Sequence, residues 1–229
     1  MEICKIKSIK KLGKLGKRYD IEVEDTHNFF ANGILVHNSN FRCGYVLISG
    51  NFFQKTLKKI KNIINRNKYP EYEFLVGSHN VQLDNNKNNV YHQIAEKYDL
   101  KSKLEPGQII YGEIYGDGIQ KNYNYGLNNE IRFAAFDMLL SGRWLNYKLA
   151  YNFFRNKEIP EALILYQGEF KPELIEKYCS GPSNLCKTQK HIEGIVIKSV
   201  DEEIGHMGRM IFKYLNPEYL LLKNNTEFH

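Results

Sequence analysis

Glu193-Gly194-Ile195-Val196-Ile197-Lys198 reads as a buried strand with a carboxylate before it and an ammonium closing it. Three other segments share this mix of apolar strand and isolated charge. Tyr111-Gly112-Glu113-Ile114-Tyr115-Gly116 places an acidic residue between glycines, which leaves room for a ligand to approach the backbone. Phe133-Ala134-Ala135-Phe136-Asp137 offers an aromatic face ending in a carboxylate. Met210-Ile211-Phe212-Lys213-Tyr214 sets one lysine in an apolar strand. Taken singly, each has a plain structural explanation. Glu113 could be a strand-edge charge, Phe136 simple core, and Lys213 a snorkelling surface residue.

Together the four segments can build a nucleotide site. Carboxylates hold a divalent metal, lysines neutralise phosphates, and a ring stacks on adenine. In this order they resemble the covalent nucleotidyltransferases, and within them the ATP-dependent RNA ligases. The resemblance spans most of residues 40–222. It implies lysine adenylylation by ATP, transfer of AMP to a 5′-phosphate end, and displacement of AMP by a 3′-hydroxyl. It also implies Mg2+ or Mn2+, with RNA or a nicked nucleic acid as substrate. By position, Glu193 matches a catalytic metal ligand and Lys213 a phosphate-contacting lysine. Phe136 matches the adenine-stacking ring, and Glu113 a carboxylate on ribose or metal. Asp137 and Lys198 complete the nucleotide-binding set. Two positions depart from the family pattern. His79 stands where relatives often carry Arg, and Ile211 and Leu215 beside Lys213 are both apolar.

The family's nucleophile lies in a Lys-x-(Asp or His)-Gly motif just before the first strand of the domain. Ser39-Asn40-Phe41-Arg42 resembles the end of that motif, with Asn40 on the nucleotide side, but no matching lysine precedes it. Lys10-Lys11-Leu12-Gly13 has a similar spacing but precedes no matching strand.

Immediately upstream stands Arg18 to Ser39, RYDIEVEDTHNFFANGILVHNS. Tyr19 to Glu24 alternates as a half-buried strand, Asn32-Gly33 is a hairpin-type turn, and Ile34 to Val36 is a short apolar strand. His37-Asn38-Ser39 carries a complete chemistry. The Asn38 amide can close a succinimide on its own carbonyl, His37 can protonate that carbonyl, and the Ser39 hydroxyl can act as a nucleophile. The stretch resembles the C-terminal splicing motifs of inteins. That resemblance makes Asn38 the cyclising residue, with His37 assisting it. Ser39 becomes the acceptor of the N-extein, and His27 the upstream histidine at the same junction. Asp20 falls on a position that is often acidic. The first splicing half has no place before Tyr19, so the chain is expected to be the C-terminal partner of a split intein that trans-splices. Its basic residues 1–17 would dock an N-terminal precursor carrying the missing lysine.

Composition sets the outer bounds. The 229 residues, 42% hydrophobic, allow one sizeable domain with a small appendage. We divide the chain into a split-intein segment, residues 1–38, and a ligase domain, residues 39–229. No apolar run is long enough for a transmembrane helix and Met1 to Lys10 lacks a signal-peptide core, so a cytoplasmic protein without membrane contact is expected. Four cysteines are too few and scattered for a disulfide framework, and the Cys179–Cys186 spacing does not suit a zinc knuckle. The net charge of +6 suits a polyanion but is concentrated near the start.

Strand patterns cover Phe41 to Ile48, Tyr72 to Val76, Gln108 to Tyr115, Ile131 to Leu140, Glu161 to Tyr166, Ile192 to Ser199 and Arg209 to Tyr214. Helical patterns cover Phe53 to Ile64, Val90 to Tyr98, Tyr147 to Arg155 and Pro172 to Tyr178, with a last short helix after Asn216. This mixed order predicts an α+β nucleotidyltransferase (ATP-grasp-like) domain of largely antiparallel sheets, preceded by a small β segment of Hint type. A DNA ligase or capping guanylyltransferase on the same scaffold is the nearest alternative. A nucleic-acid-binding module without turnover is the alternative of another class.

Overall fold

Alternating burial builds the main sheet. In β5 (Asn40–Leu47), Phe41 and Cys43 are buried while Asn40 and Arg42 are half-buried. The same alternation runs through β7 (Gln108–Gly116), with Ile110, Gly112 and Ile114 buried, and through β8 (Ile131–Leu140), with Phe133, Ala135 and Asp137 buried. With β6 (Tyr72–Ser78) and β9 (Arg143–Trp144), these strands form a sheet of order β6-β5-β7-β8-β9. The pairings β5–β6, β5–β7 and β8–β9 are antiparallel.

The computed structural model describes residues 6–11, 19–23, 30–31, 34–35, 40–47, 72–78, 89–119, 124–186, 189–205 and 208–221, with side chains from residue 40 onward. The expected helix over Phe53 to Ile64 lies outside them. The chain divides into two compact units. One holds Met1–Ser39, Tyr115–Arg132 and Leu163–His229; the other holds Asn40–Ile114 and Phe133–Ala162.

The second unit carries most of the five-stranded sheet and its helices. Helix α1 (Val90–Lys97) starts at Asn89, whose side chain accepts from the Tyr91 amide, and buries Ile94 and Ala95. Its Tyr91 stacks 6.2 Å from Phe41, which meets Phe133 edge-on at 4.8 Å. A single turn, α2 (Leu100–Lys103), follows. Helix α3 (Tyr147–Asn156) is capped by Asn146 through the Leu149 amide and buries Ala150, Tyr151 and Phe154 on one face. Trp144 packs 4.8 Å from Tyr111.

At Gly112 the sheet and its core meet closely. A Cβ there would lie 2.2 Å from the Phe133 ring and 2.5 Å from the Ala134 carbonyl oxygen. The expected strand over Glu161 to Tyr166 shrinks to one bridge between Glu161 and Ala135. Only Pro160 and Ala162 bond to the Ala135 backbone, and the apolar residues that follow find no ladder.

Among the described residues, the first unit contains four antiparallel two-stranded pairs. Strand β1 (Ile6–Lys11) lies in the basic segment and pairs with β2 (Tyr19–Val23). Strand β3 (Phe30–Ala31) pairs with β4 (Ile34–Leu35), with Ala31 opposite Ile34, as the hairpin pattern predicts. Strand β10 (Gly194–Lys198) pairs with β13 (Ile211–Leu215), and β11 (Ile204–Gly205) with β12 (Gly208–Arg209). Helices α4 (Glu173–Tyr178) and α5 (Pro217–Leu220) complete it.

Candidate active site

In the first unit, Glu193 stands just before β10 and its backbone is fixed by Asn216, which follows β13 at the same end of the pair. The Asn216 amide donates to the Glu193 carbonyl oxygen at 2.9 Å, and Asn216 Nδ2 donates to the Ile192 carbonyl oxygen at 2.9 Å. Gly194 permits this closeness, since a Cβ there would lie 2.4 Å from the Tyr214 carbonyl oxygen. The Glu193 carboxylate meets two donors. Lys213 Nζ approaches Oε1 at 3.4 Å, and the Tyr125 hydroxyl donates to Oε2 at 2.9 Å. The Glu193 and Lys213 side chains are 13% and 19% exposed, so their attraction is weakly screened.

Lys198 has a second carboxylate beside it. Its Nζ is 3.8 Å from Glu202 Oε1, and Glu202 also pairs with Arg209, whose Nε donates to Oε2 at 2.7 Å. The same guanidinium reaches Glu202 Oε1 through Nη2. Lys198 thus shares the Glu202 carboxylate with Arg209.

In the second unit, Asn40 and Glu113 are directly opposite across β5 and β7, both half-buried. Phe136 is half-buried on β8, while Asp137 is buried at 2% exposure. Successive strand residues face opposite sides, so Asp137 sits with Phe133 and Ala135 on the core face, away from Phe136. It contributes to holding the Tyr151 phenol neutral. The structure thus brings Asn40 to Glu113 and Lys213 to Glu193, and separates Asp137 from Phe136. His27, His37, Asn38 and Ser39 lie outside the described residues, as does His79.

Tyr125, Glu202 and Arg209 are additions to the sequence reading. Tyr125 contacts Glu193 from 68 positions away. No local pattern announces that contact beyond the turn-forming Asn124 and Gly126.

Among the described residues no group of three or more His, Cys, Asp or Glu could hold a metal ion by itself. A cation of the Mg2+ type takes one or two carboxylates and leaves its other positions to water and substrate phosphates. Glu193 supplies such a carboxylate, with a lysine beside it suited to phosphate. No helix among the described residues is long and apolar enough to cross a membrane.

Comparison with solved structures gives the same fold. Naegleria gruberi RNA ligase with PPi superposes with a TM-score of 0.56 at 18% identity, covering 81% of this chain and 49% of that one. A mutant of that ligase with ATP and Mn superposes with a TM-score of 0.56 at 19% identity and the same coverage. The chain thus spans about half the length of that ligase. Among curated proteins, DNA topoisomerase 1 of Pyrococcus furiosus is 44% identical over 70 residues, 31% of this chain and 6% of that protein. DNA polymerase of Thermococcus litoralis is 41% identical over 64 residues, 28% of this chain and 4% of that protein. Reverse gyrase of Methanocaldococcus jannaschii is 22% identical over 263 aligned positions, 96% of this chain and 16% of that protein. The family model described as RNA ligase matches residues 36–215, and on that match the chain belongs to the RNA ligase family.

Proposed function

We propose that residues 39–229 form the nucleotide-handling part of an ATP-dependent RNA ligase, joined by trans-splicing to a polypeptide that carries the nucleophilic lysine. The observation that carries the ligase reading is the Glu193 carboxylate held beside Lys213, immediately before the β10–β13 pair. A lysine on the partner attacks the α-phosphate of ATP and expels pyrophosphate. AMP passes to a 5′-phosphate end, and a 3′-hydroxyl displaces it to seal the strand. Lys213 neutralises phosphate charge, Phe136 stacks on adenine, Glu113 contacts ribose or metal, and Asn40 opposite it belongs to the nucleotide-binding set. Glu193, with Glu113, would hold a divalent cation, which would offset phosphate charge. Asp137 acts from the core side, and Lys198 through the carboxylate it shares with Arg209.

The splicing reading rests on His27, His37, Asn38 and Ser39 and on the β3–β4 pair, which falls between His27 and His37 in the sequence. Residues 1–38 would dock the N-terminal precursor and leave once Ser39 is joined.

Incubation with ATP labelled at the α-phosphate tests the ligase reading. The isolated chain should form no covalent AMP adduct. The chain joined to its lysine-bearing partner should form one and seal nicked RNA. Glu193→Ala in the joined protein should lower adduct formation by roughly a hundredfold or more. An AMP adduct on the isolated chain would overturn the assignment. Sealing of nicked DNA in preference to RNA would move the substrate class.

A further inference from the structure

We propose that Tyr125 is the positioning residue for Glu193, its hydroxyl setting the orientation in which that carboxylate meets a divalent cation. The part of this that concerns the cation rests on the ligase reading above; the part that concerns the carboxylate does not.

Tyr125 occupies a built position. Its backbone lies in the left-handed region at φ 53°, which a bulky aromatic rarely adopts. The surrounding turn holds it there. Asn124 Oδ1 accepts from the Gly126 amide at 3.0 Å, and the Leu127 amide donates to the Asn124 carbonyl oxygen at 3.0 Å. The base of the loop is tied where the Asp117 amide donates to the Glu130 carbonyl oxygen at 3.0 Å and Asp117 Oδ2 accepts from the Asn129 amide at 3.1 Å. The ring is clamped edge-on by Tyr115, with centroids 5.5 Å apart and planes at 76°. A ring so fixed can aim its hydroxyl in few directions, and it aims at Glu193 Oε2.

Lys213 approaches the other oxygen, Oε1, so the carboxylate is gripped from both ends. The two donors differ in kind. An ammonium competes with a metal for the same negative charge. A neutral hydroxyl fixes orientation without competing for it. Tyr125 therefore does for Glu193 what outer hydrogen-bond partners do for metal-binding carboxylates generally, and removing such partners typically costs ten- to a hundredfold in metal affinity.

The test is carbon-13 NMR of the full-length chain titrated with Mn2+ at a fixed concentration of ATP, whose phosphates supply the cation's other ligands. The Glu193 carboxyl resonance is assigned by its loss in Glu193→Gln. Tyr125→Phe keeps the ring against Tyr115 and removes only the hydroxyl. In that variant the Glu193 resonance should move, and the Mn2+ concentration that broadens it should rise roughly tenfold. The melting temperature should stay close to that of the parent. Tyr125→Ala, which removes ring and hydroxyl together, should show at least the same change. If Tyr125→Phe matches the parent in resonance position and Mn2+ response while Tyr125→Ala does not, the residue only packs and the proposal is overturned. If Mn2+ leaves Glu193 sharp in the parent chain, Glu193 is no metal ligand and the ligase reading of it fails. The resonance shift in Tyr125→Phe then decides the positioning contact alone.

Discussion

Tyr151 shows how one buried phenol ties stability to pH. It is 7% exposed, and its hydroxyl donates to the Ala162 carbonyl oxygen at 3.3 Å. Burial raises its pKa from the ordinary 10.0, and negative charge on Tyr147, Glu161 and Asp137 pushes the same way. Raised in the folded state, this group contributes in full below the unfolded value. The contribution shrinks as the unfolded chain ionises above about pH 10. Denaturant midpoints should therefore fall above that pH, and Tyr151→Phe should fall less steeply. At neutral pH the variant should be weaker by about 1 kcal/mol for the lost hydrogen bond. Parallel curves for parent and variant would remove Tyr151 as the cause. The tyrosine–glutamate contact at Tyr125 is a different kind of residue-scale fact. Glu193 was legible from its own strand, but its partner depends on how a distant loop closes.

At the scale of elements, α5 is more than a short tail. Asn216 caps it by accepting from the Glu218 amide at 3.0 Å and simultaneously bonds to Ile192 and Glu193. One buried side chain thus starts a helix and pins the strand entrance where the candidate carboxylate stands. Asn216→Ala would leave the half-buried Ile192 carbonyl without this donor and remove the cap, at a cost of about 1–3 kcal/mol. Urea unfolding should show that loss, and adduct formation by the joined protein should drop below what the remaining folded fraction explains. Unchanged activity per folded molecule would separate the cap from the site.

The long strands β5, β7 and β8 were legible because a half-buried strand must alternate. The spans read for α1 and α3 likewise match to within a residue or two. Besides β1, which lies in the stretch read only as a basic docking segment, the elements absent from the sequence reading are β9, α2, β11 and β12, of two to four residues each. Periodicity cannot be counted over such lengths, and pairing partners decide them. The same reason, in reverse, removed the expected strand after Glu161. Its apolar pattern is real, but a strand exists only where a ladder accepts it.

At the scale of the whole chain, the proposed function requires residues 1–38 to be dispensable once their work is complete. Cyclisation of Asn38 breaks its peptide bond to Ser39, with the Ser39 amine as leaving group. In mixtures with the N-terminal partner, mass spectrometry should find a released peptide of residues 1–38 ending in a succinimide. Asn38→Ala should yield none, whereas release by that variant at the parental rate would exclude this chemistry.

The two units differ in one optically useful respect. The chain has a single tryptophan, Trp144, which lies in the unit of Asn40–Ile114 and Phe133–Ala162, packed against Tyr111. Indole emission is therefore a built-in reporter for that unit alone, and the unit with Glu193 is dark. Far-ultraviolet dichroism sees the backbone of both. Overlaying the two signals along one denaturation curve gives a label-free measure of whether the units melt as one cooperative body or in sequence.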